Sequence, residues 1–94
     1  MDIIKLIEVL TDSSVACFAY GLNNSKLCYS DFDRLYFRNA FSSLLIKICS
    51  LYENTDINNT DKSIVSIDFL YDYLIRRYYI SKSNVFKSLG YDYD

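Results

Sequence analysis

Apolar residues recur at spacings of three and four through most of this chain, the mark of amphipathic helices. Ile3, Leu6, Ile7 and Leu10 fall at i, i+3, i+4 and i+7, with Lys5 and Glu8 on the other side, which predicts a first helix. Thr11-Asp12-Ser13-Ser14 reads as the end of that element and the cap of the next. Over residues 14–20, Val15, Phe18, Ala19 and Leu22 suit a short second helix with Gly21 just past its end. The competing reading is a short β-hairpin near 14–29, turning at Asn23-Asn24 into Lys26-Leu27-Cys28-Tyr29.

The third segment has the strongest pattern. Ser30 suits an N-cap, and Asp31 and Asp33 fall in a first turn where the helix dipole favours them. Phe37, Phe41, Leu44, Leu45, Ile48, Leu51 and Tyr52 hold one face for about four turns. Leu35 and Ile46 lie on the back, which predicts a central position in a bundle. Residues 54–62 read as a polar loop. A fourth helix is expected from Ser63 or Ser66 to Ile80, with Ile67, Leu70, Tyr71, Leu74 and Tyr78 as its core stripe. Ser81-Lys82-Ser83 reads as a break, followed by a short helix from Asn84 to Leu89 that stops at Gly90, and then a frayed tail, Tyr91-Asp92-Tyr93-Asp94. The expected fold is all-α: residues 1–94 as one compact antiparallel bundle of four to five helices.

Composition sharpens this. At 94 residues the chain has room for one domain, and its apolar fraction of 51% argues against disorder. It has no His, which removes the commonest general base and any mixed Cys/His zinc site. Asp2, Lys5 and Glu8 interrupt the apolar start, so it does not read as a signal peptide, and no run approaches the roughly 18 apolar residues of a membrane span. Cys17, Cys28 and Cys49 form no CxxC or metal spacing and read as reduced, mostly buried thiols of a cytoplasmic protein. Asn23-Asn24-Ser25 and Asn58-Asn59-Thr60 match the glycosylation acceptor pattern but read as loop sequences.

Motifs for chemistry are weak. Asp31-Phe32-Asp33 has a metal-binding look, but at a helix start the two carboxylates point about 200° apart. Asp68 and Asp72 are paired carboxylates at i, i+4, but Asp72 has a simpler partner in Arg76, four residues on. Asp56, Asn58 and Thr60 mimic the first ligands of a calcium loop, which then fails at Asp61, where Gly is needed, and at Ile67, where Glu is needed. The expectation is therefore no enzyme, no cofactor and no metal.

Two surfaces carry the functional expectations. Residues 80–89 resemble the turn and recognition helix of a bacterial helix-turn-helix repressor, although Ile75 and Tyr79 occupy places where that motif takes a small residue and a Gly. The net charge of −2 hides a segment of +4 between Tyr73 and Gly90, where Arg76, Arg77, Lys82 and Lys87 meet no acid. These four are the candidate nucleic-acid contacts. On the fourth helix, Phe69, Tyr73 and Ile80 cluster within about 40°, nearly opposite the core stripe, and Asp72, Arg76 and Arg77 border them. An apolar-aromatic stripe edged by Arg and Asp has the composition of a protein interface. Phe69, Asp72, Tyr73, Arg76, Tyr79 and Asp92 are the candidate partner-binding residues. Asp56, Asp61, Asp68 and Asp94 are further acidic contacts, and ten Tyr suit such a role.

The leading expectation is a small acidic protein-binding module. It would act as a stoichiometric inhibitor, of the toxin-immunity type or of a phage or mobile-element anti-defence type, steered onto the basic cleft of a nuclease or toxin. A DNA-binding regulator acting through residues 73–90 is the first alternative, and a homo-oligomeric structural protein is the second.

Overall fold

The computed structural model describes residues 3–22, 28–54 and 67–90, and all of its regular structure is helical. The helices are α1 (Ile3–Gly21), α2 (Tyr29–Asn39), α3 (Phe41–Asn54) and α4 (Ile67–Ser88). None is long and apolar enough to cross a membrane.

The first helix does not stop at Thr11. Ile3, Ile7, Thr11, Val15 and Ala19 form one buried ridge at a spacing of four, and the chain stays helical to Gly21. The polar run is consumed by tertiary partners instead of capping. The Arg77 guanidinium donates twice to Asp12, Nε to Oδ1 at 3.0 Å and Nη2 to Oδ2 at 2.6 Å. The Ser14 and Tyr36 hydroxyls share a hydrogen bond of 2.7 Å. Residues 14–22 are therefore not half of a hairpin, and residues 23–27, the expected turn, lie outside the described residues.

The long third helix is real but broken. It begins one residue before Ser30, with Cys28 as the N-cap, and the Cys28 thiol donates to Asp31 Oδ2 at 3.1 Å. At Ala40 the backbone turns to φ −129°, ψ −31°, dividing α2 from α3. Asn39, just before the break, donates from its side-chain amide to the Leu35 carbonyl at 2.9 Å, offering a backbone acceptor a competing partner. Phe41, Leu44 and Ile48 are buried as expected, and Ile46 on the back is exposed. Phe32 and Tyr36, absent from the expected face, are among the most buried residues.

The last helix also runs on. Ser81-Lys82-Ser83 is no break, because Ser81 and Lys82 are buried within the continuous α4. Leu70, Leu74 and Tyr78 are core residues as expected, whereas Tyr71 is exposed. Gly90 ends the element at φ +80°, a left-handed conformation that costs glycine little, and its N–H donates to the Lys87 carbonyl at 3.2 Å.

Contacts give the topology. Phe32 meets Phe86, Tyr36 meets Tyr78 and Phe41 meets Tyr71, so the α2–α3 rod runs antiparallel to α4. Ser14 meets Tyr36 and Phe18 meets Phe32, so α1 is antiparallel to α2. α1 and α4 are therefore parallel. Their two hydrogen-bonded pairs, Glu8–Tyr73 and Asp12–Arg77, share one offset of 65 residues. The rods go up, down and up, with α1 touching all three other helices. Large rings fill the α2–α4 seam: the Tyr36 and Tyr78 centroids stack at 4.6 Å, and Phe37 joins them at 4.8 Å from Tyr78. Such ring pairs add roughly 0.5–1.5 kcal/mol each beyond their burial.

Candidate interaction surface on the fourth helix

All the expected site residues except Asp92 lie on α4, and the continuous helix sorts most of them into three groups. Phe69 and Ile80 remain large exposed apolar side chains, 49% and 52% exposed. Between them, Asp72 and Arg76 form the expected i, i+4 ion pair at 3.6 Å, with both side chains mostly in solvent. At roughly 1.5 Å per residue, the stripe from Phe69 to Ile80 spans about 16 Å of surface.

The second group ties α4 to α1. Tyr73 is half-buried, and its hydroxyl donates to Glu8 Oε2 at 2.5 Å while its ring stacks on Phe69 at 6.2 Å. Arg77 clasps Asp12 and lies 3.9 Å from Glu8. The hydrogen bonds to Asp12 hold the guanidinium above its ordinary value, so it stays charged at any working pH. The 65-residue offset then places Ala16 level with Ser81 and Tyr20 level with Val85, and these four line a groove of about 250 Å³ along the seam.

The third group is internal. Lys82 has 0% exposure, and its ammonium donates to Asp33 Oδ1 at 2.6 Å. The same oxygen accepts from the Tyr78 hydroxyl at 2.8 Å. The Lys82 nitrogen also sits 5.0 Å from the Tyr79 ring centroid and 5.8 Å from that of Tyr78, within cation–π range. Burial, then the Asp33 hydrogen bond and charge, push the Tyr78 phenol well above its usual value. Tyr79 is 44% exposed and is raised more by burial than by the Asp33 charge.

This geometry bears on the helix-turn-helix resemblance. The turn it needs at residues 81–83 is helix. Of its four candidate contacts, Lys82 is inside the bundle and Arg77 is held by α1, while Arg76 and Lys87 are exposed. Asp92 and the acidic candidates Asp56, Asp61 and Asp94 lie outside the described residues, as does the calcium-like loop. Asp68 is exposed beside Phe69. Among the described residues no cluster of three or more metal-ligating side chains occurs.

Two features were missed from sequence. Asp33 looked like a dipole residue, and its partner lies 49 positions away, beyond the reach of any local pattern. Cys17 looked buried but is exposed, at a groove of about 700 Å³ between α1 and the α2–α3 break that also takes in Leu10, Phe18, Ala40 and Lys47. No family model, curated protein or solved structure matches the chain.

Proposed function

We propose that this protein is a binding module that acts as a stoichiometric inhibitor of another protein, and that the outer face of α4 is its contact surface. The observation that carries the reading is the exposed Phe69–Ile80 stripe with the Asp72–Arg76 pair between its ends. Two half-exposed apolar anchors about one turn either side of a charged pair match the mixed apolar and polar make-up of a protein interface. Tyr73, steadied by Glu8 and Phe69, gives the stripe a preorganised aromatic edge. Asp72 at the border of the stripe and the exposed Asp68 just before Phe69 favour a partner with basic groups around an apolar patch, as at a nuclease or toxin cleft.

The test is capture from the natural source by wild type, Phe69→Ser, Ile80→Ser and, on a different helix, Ile46→Ser. A specific partner should be retained by wild type and Ile46→Ser and lost by the two α4 variants. The purified partner should lose its activity at one equivalent of the module. Equal retention by all four proteins would sink the reading.

A further inference from the structure

The outer face of α4 is complementary to itself. We infer that it pairs with a second copy of this chain as an antiparallel, two-fold symmetric helix contact. The inference rests on the reading of this face as an interface and names one occupant for it.

In a two-fold antiparallel pair, residue numbers that face one another have a nearly constant sum. Phe69 and Ile80 add to 149, and so do Tyr73 and Arg76. One axis between positions 74 and 75 therefore seats Phe69 on Ile80 of the partner subunit, about 8 Å to either side of the centre. The same axis brings Arg76 level with Tyr73 of the partner subunit and one position from Asp72 of the partner subunit. Asp72 and Arg76 carry opposite charges and are both solvent-exposed, so each can exchange its intrahelical partner for one across the axis without leaving a buried charge alone. Apolar ends meet apolar ends and each cation meets an anion and a ring, twice over. A parallel arrangement would set like on like: Asp72 beside Asp72 and Arg76 beside Arg76. The surface thus selects both a second copy and its direction. One helix face is smaller than the roughly 800 Å² per partner of a standard stable interface, so the dimer is weak, and a foreign partner for this face competes with it.

Charge reversal tests this without touching the core. Asp72→Arg presents two cations and Arg76→Asp two anions, so each variant repels its own copy while the two complement one another. Sedimentation equilibrium of the full chain from about 10 μM to about 1 mM should show wild type moving from monomer toward dimer. Each variant alone should associate at least about tenfold more weakly, and their equimolar mixture should recover to within about threefold of wild type. Phe69→Ser should weaken association similarly, with unchanged helix content by circular dichroism. A wild type that stays monomeric at about 1 mM overturns the inference, as does a mixture no more associated than its components. Should that occur while Phe69→Ser still loses a foreign protein in capture, the binding-module reading survives and only the second copy is removed.

Discussion

The two sides of α4 are about equally rich in aromatic and charged residues, yet they behave as opposites. Inward, Leu70, Leu74, Tyr78, Ser81, Lys82 and Phe86 are buried, and the one cation among them is neutralised by Asp33 and flanked by rings. Outward, Phe69, Asp72, Arg76 and Ile80 meet solvent, and their ion pair closes locally over one turn. The difference teaches that partner distance, not residue type, separates core from surface here. A buried charge needs a fixed partner from another element, whereas an exposed charge needs only a neighbour that is cheap to exchange.

The sharpest way to break the comparison is on the inner side. Leu74→Ala should cost about 2–5 kcal/mol in urea unfolding, since a fully buried Leu leaves a cavity. Asp33→Ala should cost roughly 2–4 kcal/mol because it removes the carboxylate to which a buried ammonium donates. Lys82→Met should cost clearly less, because it removes the charge along with the need for a partner. If Lys82→Met proved the more damaging of the two, the buried pair would be a net source of stability and the contrast between the faces would need recasting.

Alkaline titration probes the same seam. Burial raises the Tyr36 phenol, against the opposing Ser14 hydrogen bond, and raises Tyr78 further with the help of Asp33. Protons held more tightly in the folded state mean stability that is full below the unfolded value near 10. It is lost as pH rises from there through the folded values. The urea midpoint should hold up to about pH 9 and fall above about pH 10, and the fall should be shallower in Tyr36→Phe.

A stabilising change is expected next. The Thr11 Oγ1 is buried with no hydrogen-bond partner among the described residues. Thr11→Val keeps the shape, removes that hydroxyl and should gain about 1 kcal/mol in the same assay. The smallest effects belong to the outer side. Phe69→Ser and Arg76→Ala should each change stability by no more than about 0.5 kcal/mol, so that losses of binding in these variants cannot be laid to unfolding. A drop of several kcal/mol in either would show that the outer face is core to some part of the fold.

How far the sequence revealed these faces depends on where each residue's partner sits. Stripes at three and four spacing located α1, the α2–α3 rod, α4 and the cores around Leu44, Ile48, Leu70 and Leu74, because periodicity is a local property. The Asp72–Arg76 pair and the Gly90 stop were legible for the same reason. Thr11 to Ser14 and Ser81 to Ser83 were misread as helix ends because polar runs resemble caps when only near neighbours are considered. The partners of Ser14, Lys82 and Asp12 stand 22, 49 and 65 positions away. The break at Ala40 was invisible in turn, since neither Gly nor Pro marks it.

The buried ammonium has a practical consequence. Lys5, Lys47 and Lys87 are exposed, whereas Lys82 is sealed in the bundle. An amine-acylating reagent should modify the first three at once and reach Lys82 only when α4 opens away from α2. The rate at which the peptide holding Lys82 gains mass then clocks the opening of the domain, with the other three lysines as its internal standard.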